Sequence, residues 1–291
     1  DSIESDILRL TVDSHGAEPV RVIHKPTGAE LLWQADPAVW KRHAPILFPY
    51  TGKLTGGKML AKGVEYAGGQ HGFARDVEHT MTHHADNLLE FELHANAETL
   101  PKGPYAFVLR PTVTLEGETV HHTLTVENPV EDKLCFGIGY HPAFALPFDD
   151  RHVTEDYEIR FDGVESPLCV SAQPNGLLNG QSYYLARNVE AIQLTDDLFD
   201  SDSHAMVNLR SAHVSVSERD AGRSVICDVS DFPYTLIWSA PKKPLHFICI
   251  EPWHSLPGEE NGPIDWEQRP CAAILKKGES WSTTLSTTFV R

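Results

Sequence analysis

The sequence predicts an all-β fold, a large antiparallel sandwich, and three observations carry that prediction. Segments such as Leu89-Glu90-Phe91-Glu92-Leu93, Leu124-Thr125-Val126-Glu127 and Tyr157-Glu158-Ile159-Arg160-Phe161 alternate apolar and polar residues with period two, as strands buried on one face must. Such segments recur at short intervals with Gly, Pro, Asn and Asp between them, the punctuation of hairpins and meanders. Sustained helical periodicity is scarce throughout, which leaves sheet on sheet as the way to bury a core.

Taken in order, Leu8 to Val12 and Val20-Arg21-Val22 read as strands, and Pro26-Thr27-Gly28 as a tight turn before Leu31-Leu32-Trp33. Asp36 to Arg42 reads as a helical turn or loop, followed by the proline-bounded apolar segment Pro45-Ile46-Leu47-Phe48-Pro49. Val113-Thr114-Leu115, Val214-Ser215-Val216 and Val225-Ile226-Cys227-Asp228-Val229 continue the strand series. Trp281, Thr283, Leu285, Thr287 and Phe289 close it, alternating with small polar residues. A chain of 291 residues could hold one large β domain or two smaller ones. With no break in composition, no repeat and no low-complexity segment, a single domain over 1–291 is expected.

Composition narrows the function. A net charge of −17 repels nucleic acid and anionic membranes, so a small molecule is the expected partner. No apolar run approaches the length needed to span a bilayer. The five cysteines are far apart and show no C-x-x-C spacing, which speaks against a disulfide framework and a zinc ribbon and for a reduced, cytoplasmic setting. The acidic start Asp1-Ser2-Ile3-Glu4-Ser5-Asp6 lacks the order of an export signal. Among 16 histidines none falls in an H-E-x-x-H arrangement, so neither a metal site nor a cofactor is expected. Nucleotide-binding glycine motifs and a G-x-S-x-G elbow are also missing.

Three stretches hold side chains suited to proton transfer. In Gln70-His71-Gly72-Phe73-Ala74-Arg75-Asp76 the glycine would let backbone approach a ligand; alone, a structural histidine with an Arg75–Asp76 surface pair is the simpler reading. In Gly139-Tyr140-His141-Pro142-Ala143-Phe144 the proline biases His141 to an extended conformation at a strand end. In Leu245-His246-Phe247-Ile248-Cys249-Ile250-Glu251-Pro252-Trp253 the alternation puts Glu251 on the face of Phe247 and Cys249. A carboxylate on an apolar face is costly unless paired or functional, and desolvation would raise its pKa toward that of a useful base. The competing reading is that Pro252 simply ends the strand at a solvated rim.

Together these stretches resemble the aldose 1-epimerase (galactose mutarotase-like) superfamily, and more closely its LacX-like branch. Further pieces lie in family order: Leu31-Leu32-Trp33-Gln34, Ala44-Pro45-Ile46-Leu47-Phe48-Pro49 and Leu275-Lys276-Lys277-Gly278-Glu279-Ser280. The resemblance implies a β-supersandwich and a cofactor-free isomerase that inverts the anomeric centre of an aldose, working as a monomer or homodimer. It implies that Glu251 is the base for the C1 hydroxyl, that His141 is the acid for the ring oxygen, and that His71 helps hold the sugar. Asp202, or else Asp200, would match an aspartate that binds sugar hydroxyls. Arg75 resembles an arginine of the sugar-phosphate branch and would bind a hydroxyl or a phosphate. Lys53 stands where many relatives carry an arginine, a point charge in place of a planar fork. Two cations, Arg75 and Lys53, are few for a phosphate, which favours a free sugar over a hexose 6-phosphate; a sugar-binding protein without turnover is the reading from another class. Phe73, Phe144 and Trp253 are candidates to stack on the ring or to fill the core. Glu251 and His141 are expected to face each other across a gap one pyranose wide.

Overall fold

The computed structural model describes residues 1–172, 175–220 and 222–291. Two large antiparallel sheets dominate it. One runs in the order Val189–Gln193, Tyr157–Glu165, His213–Glu218, Ser224–Asp228, Ser280–Val290, Thr119–Glu127, Val108–Glu116, Leu88–His94, Thr80–Ala85. The other runs Leu178–Tyr184, Leu168–Ala172, His204–Met206, Tyr234–Trp238, Phe247–Trp253, Gly139–Tyr140, Ile46–Leu47, with Ala143–Ala145 also paired to Phe247–Trp253. A smaller four-stranded sheet, Ser2–Glu4 to Ala29–Glu30, holds the N-terminal hairpins. The expected all-β antiparallel sandwich is what forms, and the only helical pieces among the described residues are single 3-10 turns.

Period-two patterning explains the packing. Thr119–Glu127 pairs with Val108–Glu116 on one edge and Ser280–Val290 on the other, nine positions each. It turns Val120, His122, Leu124 and Val126 inward. Its outer face carries side-chain hydrogen bonds across the ladder, Thr123 with Thr284 and His121 with Ser286. The apolar cluster between the sheets draws on Leu124, Leu285 and Phe289 from one side and on Ile237, Ile248 and Ile250 from the other.

The strand Phe247–Trp253 positions the site. All seven of its residues are buried, and it is paired on both edges. It runs through Pro252, so Pro252 does not end it and Glu251 is not at a solvated rim: the carboxylate is 2% exposed. The other edge is shared by two short segments, with Gly139 opposite Trp253 and Ala143 opposite Cys249. Both pairings keep one register. Carried across the interruption at Tyr140-His141-Pro142, that register sets His141 opposite Glu251. Pro142 and Pro252 have no N–H to donate, and the His141 amide donates to the Pro45 carbonyl instead.

Candidate active site

Directly opposed residues of an antiparallel pair present their side chains to the same face, and here that brings His141 Nε2 to 3.3 Å from Glu251 Oε2. No ring fits between atoms that close. The expected gap one pyranose wide is therefore wrong: the two groups stand side by side on the floor of the site, because they come from neighbouring strands of one sheet rather than from facing walls.

His71 joins them from a separate turn. Its ring centroid lies 5.4 Å from that of His141 and 5.4 Å from that of Trp253, edge to face in both cases. The backbone that carries it is left-handed at His71 (φ +66°) and at Gly72 (φ +71°). A Cβ on Gly72 would meet the Phe48 carbonyl oxygen at 2.0 Å, so only glycine fits. That carbonyl accepts the amides of Phe73 and Ala74. The Gly52 amide donates to His71 Nδ1 at 3.0 Å, so Nδ1 is the acceptor and the proton sits on Nε2. His71 is thus held as a neutral donor.

Burial sets the charge states. His71, His141 and Glu251 are 5%, 6% and 2% exposed. Desolvation, reinforced by the Asp202 charge, holds the Glu251 carboxyl well above its usual range. Desolvation, then the Arg75 charge, pushes His141 down to about 3, and desolvation followed by the neighbouring His141 pushes His71 well down. Both partners of the close pair therefore favour their uncharged forms. Between pH 3 and the raised pKa of Glu251 the pair holds one transferable proton, resident on the carboxyl, with the imidazole in reach.

Half-buried side chains ring this floor. Trp40 stacks on His141, centroids 4.9 Å apart, and Trp238 meets the same ring edge-on at 5.6 Å. Arg75 donates to the Gln70 carbonyl at 2.7 Å; among the described residues its buried Nε has no hydrogen-bond partner, and the Asp76 carboxylate lies 3.9 Å from it. Lys53 bridges to Gln70 through backbone and, among the described residues, has no carboxylate within 4.0 Å. Arg42 donates to the Arg75 carbonyl at 2.9 Å and to Asp76. Asp202, left-handed at φ +83°, acts on both Glu251 and His204. Asp200 is exposed and accepts instead from the Lys242 amide, so of the two aspartates it is Asp202 whose charge reaches Glu251.

The sequence did not point to Trp40, Trp238 or Arg42. Trp40 and Arg42 sit in the Asp36 to Arg42 turn, where nothing local marks them, and Trp238 reaches His141 through the register that sets it opposite Cys249. The aromatics proposed for stacking fare differently: Phe73 and Phe144 are 5% and 1% exposed and belong to the core. Trp253 is also buried, donating from Nε1 to the Tyr140 carbonyl. An apolar cavity of about 40 Å³ between the sheets, lined by Leu10, His122, Tyr140 and Phe289, has room for little more than water and is separate from this site.

A family model described as aldose 1-epimerase matches residues 2–288. The chain belongs to the aldose 1-epimerase family. It is 35% identical over 262 residues to the plasmid-encoded protein LacX of Lactococcus lactis subsp. lactis, covering 87% of each chain. Among solved structures it is similar to a galactose mutarotase related enzyme from Lactobacillus acidophilus, with TM-score 0.95 and 30% identity over 100% of this chain and 97% of that one. A galactose mutarotase-like protein from Lactobacillus casei superposes with TM-score 0.90 at 29% identity, covering 99% of both chains. As an aldose 1-epimerase family member, the chain has the galactose mutarotase-like fold.

Proposed function

We propose that the protein is an aldose 1-epimerase that interconverts the α and β anomers of a free hexose or related sugar. The observation that carries this reading is the buried His141–Glu251 contact of 3.3 Å, with His71 beside it as a fixed donor. Ring opening moves one proton off the C1 hydroxyl and one onto the ring oxygen. Those two oxygens are bonded to the same carbon, so a base and an acid that stand side by side reach both from one edge of the sugar.

The single proton of the pair is enough. Moved from Glu251 to His141, it creates the carboxylate and the imidazolium together, without either ion being buried alone. Glu251 then accepts the hydroxyl proton and His141 protonates the ring oxygen; after rotation about C1–C2, each step runs backwards to close the ring from the other face. His71 Nε2–H supports the ring-oxygen side, Asp202 and Arg75 bind hydroxyls, and Trp40 and Trp238 flank the imidazole. This chemistry uses side chains alone.

Polarimetry or NMR exchange with α-glucose, α-galactose and a wider aldose panel tests the proposal. Catalysed exchange that disappears in Glu251→Gln supports it; rates equal to the spontaneous background for every sugar sink it. Sugar affinity that survives Glu251→Gln, with no exchange in either form, would mark a binding protein instead.

One observation favours a hexose 6-phosphate as a second reading. Arg42 adds a third cation to Arg75 and Lys53, and all three act on His71. Against it, Arg42 is engaged by Asp76 and lies 3.7 Å from Glu18. A kcat/KM that rises sharply when the sugar carries a 6-phosphate would decide for the phosphorylated substrate.

A further inference from the structure

Cys249 is an unassigned group beside the proton-transfer pair. It lies two residues before Glu251 on the same face of Phe247–Trp253, opposite Ala143, and is fully buried. One ligand atom each from His141, Cys249 and Glu251 lie within 4.8 Å of one another. Linear spacing hides this group, since its imidazole arrives from a neighbouring strand.

We propose that His141, Cys249 and Glu251 bind one borderline or soft divalent cation, zinc or cadmium, and that the bound ion blocks the site. The donor set of imidazole nitrogen, sulfur and carboxylate oxygen is the one such ions take, with a fourth position left for water. Tetrahedral ligands at about 2.0–2.3 Å from a metal stand roughly 3.3–3.7 Å apart; the His141 to Glu251 separation of 3.3 Å meets this as it stands. The shared register of Gly139 to Ala143 against Phe247–Trp253 fixes all three backbones.

Charge favours the same ion. A dication with one thiolate and one carboxylate is neutral as a unit, which suits a site with almost no solvent. Asp202 assists, while Arg42, Arg75 and Lys53 oppose. Binding breaks the Cys249 S–H and the Glu251 O–H, forms metal–sulfur and metal–oxygen bonds, takes the His141 Nε2 lone pair and releases two protons to solvent; no electron moves. Among the described residues His141 Nδ1 has no hydrogen-bond partner, whereas a resident metal's histidine is usually braced through that atom. The site therefore fits an inhibitor rather than a built-in cofactor.

The test is cadmium titration of the full chain, read by the ultraviolet thiolate-to-cadmium band and by equilibrium dialysis. One equivalent should bind with the band, and both should weaken about 100-fold or more in Cys249→Ser and Cys249→Ala, with folding checked by circular dichroism. The double variant Cys135→Ser/Cys271→Ser should keep the band. A missing band in the native chain, a band that persists without Cys249, or one lost in the double variant overturns the proposal. The readout is independent of turnover. A bound ion in a chain that exchanges no sugar would sink the anomer-exchange reading alone, and exchange without cadmium binding would sink this one alone.

Discussion

His141 and Glu251 stand opposite each other across a lapse in one β-ladder, 3.3 Å apart through Nε2 and Oε2. The pairing of Gly139 with Trp253 and of Ala143 with Cys249 leaves them no other place.

If the pair acts as one proton-transfer unit, removing either member should cost nearly as much as removing both. Glu251→Gln and His141→Gln are each expected to lower kcat/KM for anomer exchange by about 10²–10⁴. The double variant should fall little further, as groups acting together behave. Fully additive losses by NMR exchange would mean that the two act independently.

The pH profile should lack a limb near the ordinary histidine value. Below about 3 His141 gains a second proton and the pair has no base; above the raised pKa of Glu251 the pair has no proton to give. Activity is expected to hold level between these limits. A kcat/KM that drops by half near pH 6.5 would show that His141 titrates as an exposed imidazole.

Trp40 lies over His141 as a face-to-face neighbour. Trp40→Ala is expected to raise KM for the sugar and to lower kcat, since it removes a flat apolar contact and frees the imidazole to turn. Trp40→Phe should recover most of the loss. Equal kinetics in Trp40→Ala and the parent chain would place Trp40 outside the site.

Gly72→Ala is the clearest stability test. A left-handed backbone costs a non-glycine residue about 1–3 kcal/mol, and the added methyl would lie on the Phe48 carbonyl. The melting temperature should fall, and His71 should lose the Gly52 hydrogen bond with it. A variant that melts with the parent would show that this turn yields easily.

Much of the architecture was legible because it rests on local patterning. The alternation in Leu124 to Glu127 and in Trp281 to Phe289 dictates which face is buried wherever those strands pair. The placement of Cys249 on the face of Glu251 followed from the same rule. What alternation cannot give is register between distant segments, and the site depends on it. Thus His141 and Glu251 were expected on opposing walls, when a shared ladder makes them neighbours. Trp40 and Arg42 were invisible for a related reason: they reach the site from a turn whose course is set by tertiary contacts. Phe73 and Phe144 take the core places that the sequence had left open beside stacking on a sugar, because large aromatics bury by default.

The lapse in the ladder also separates what is rigid from what is free to vary. Glu251 hangs from a strand hydrogen-bonded on both edges, among the last parts of a sheet to open to amide exchange, and His141 is held against it by the two short strands on either side. Trp40, Arg42 and Asp202 hang from connecting segments that can change length or sequence without disturbing that strand. A scaffold divided in this way could be retuned from one sugar to another by replacing loops, while its anomeric chemistry stayed where it is.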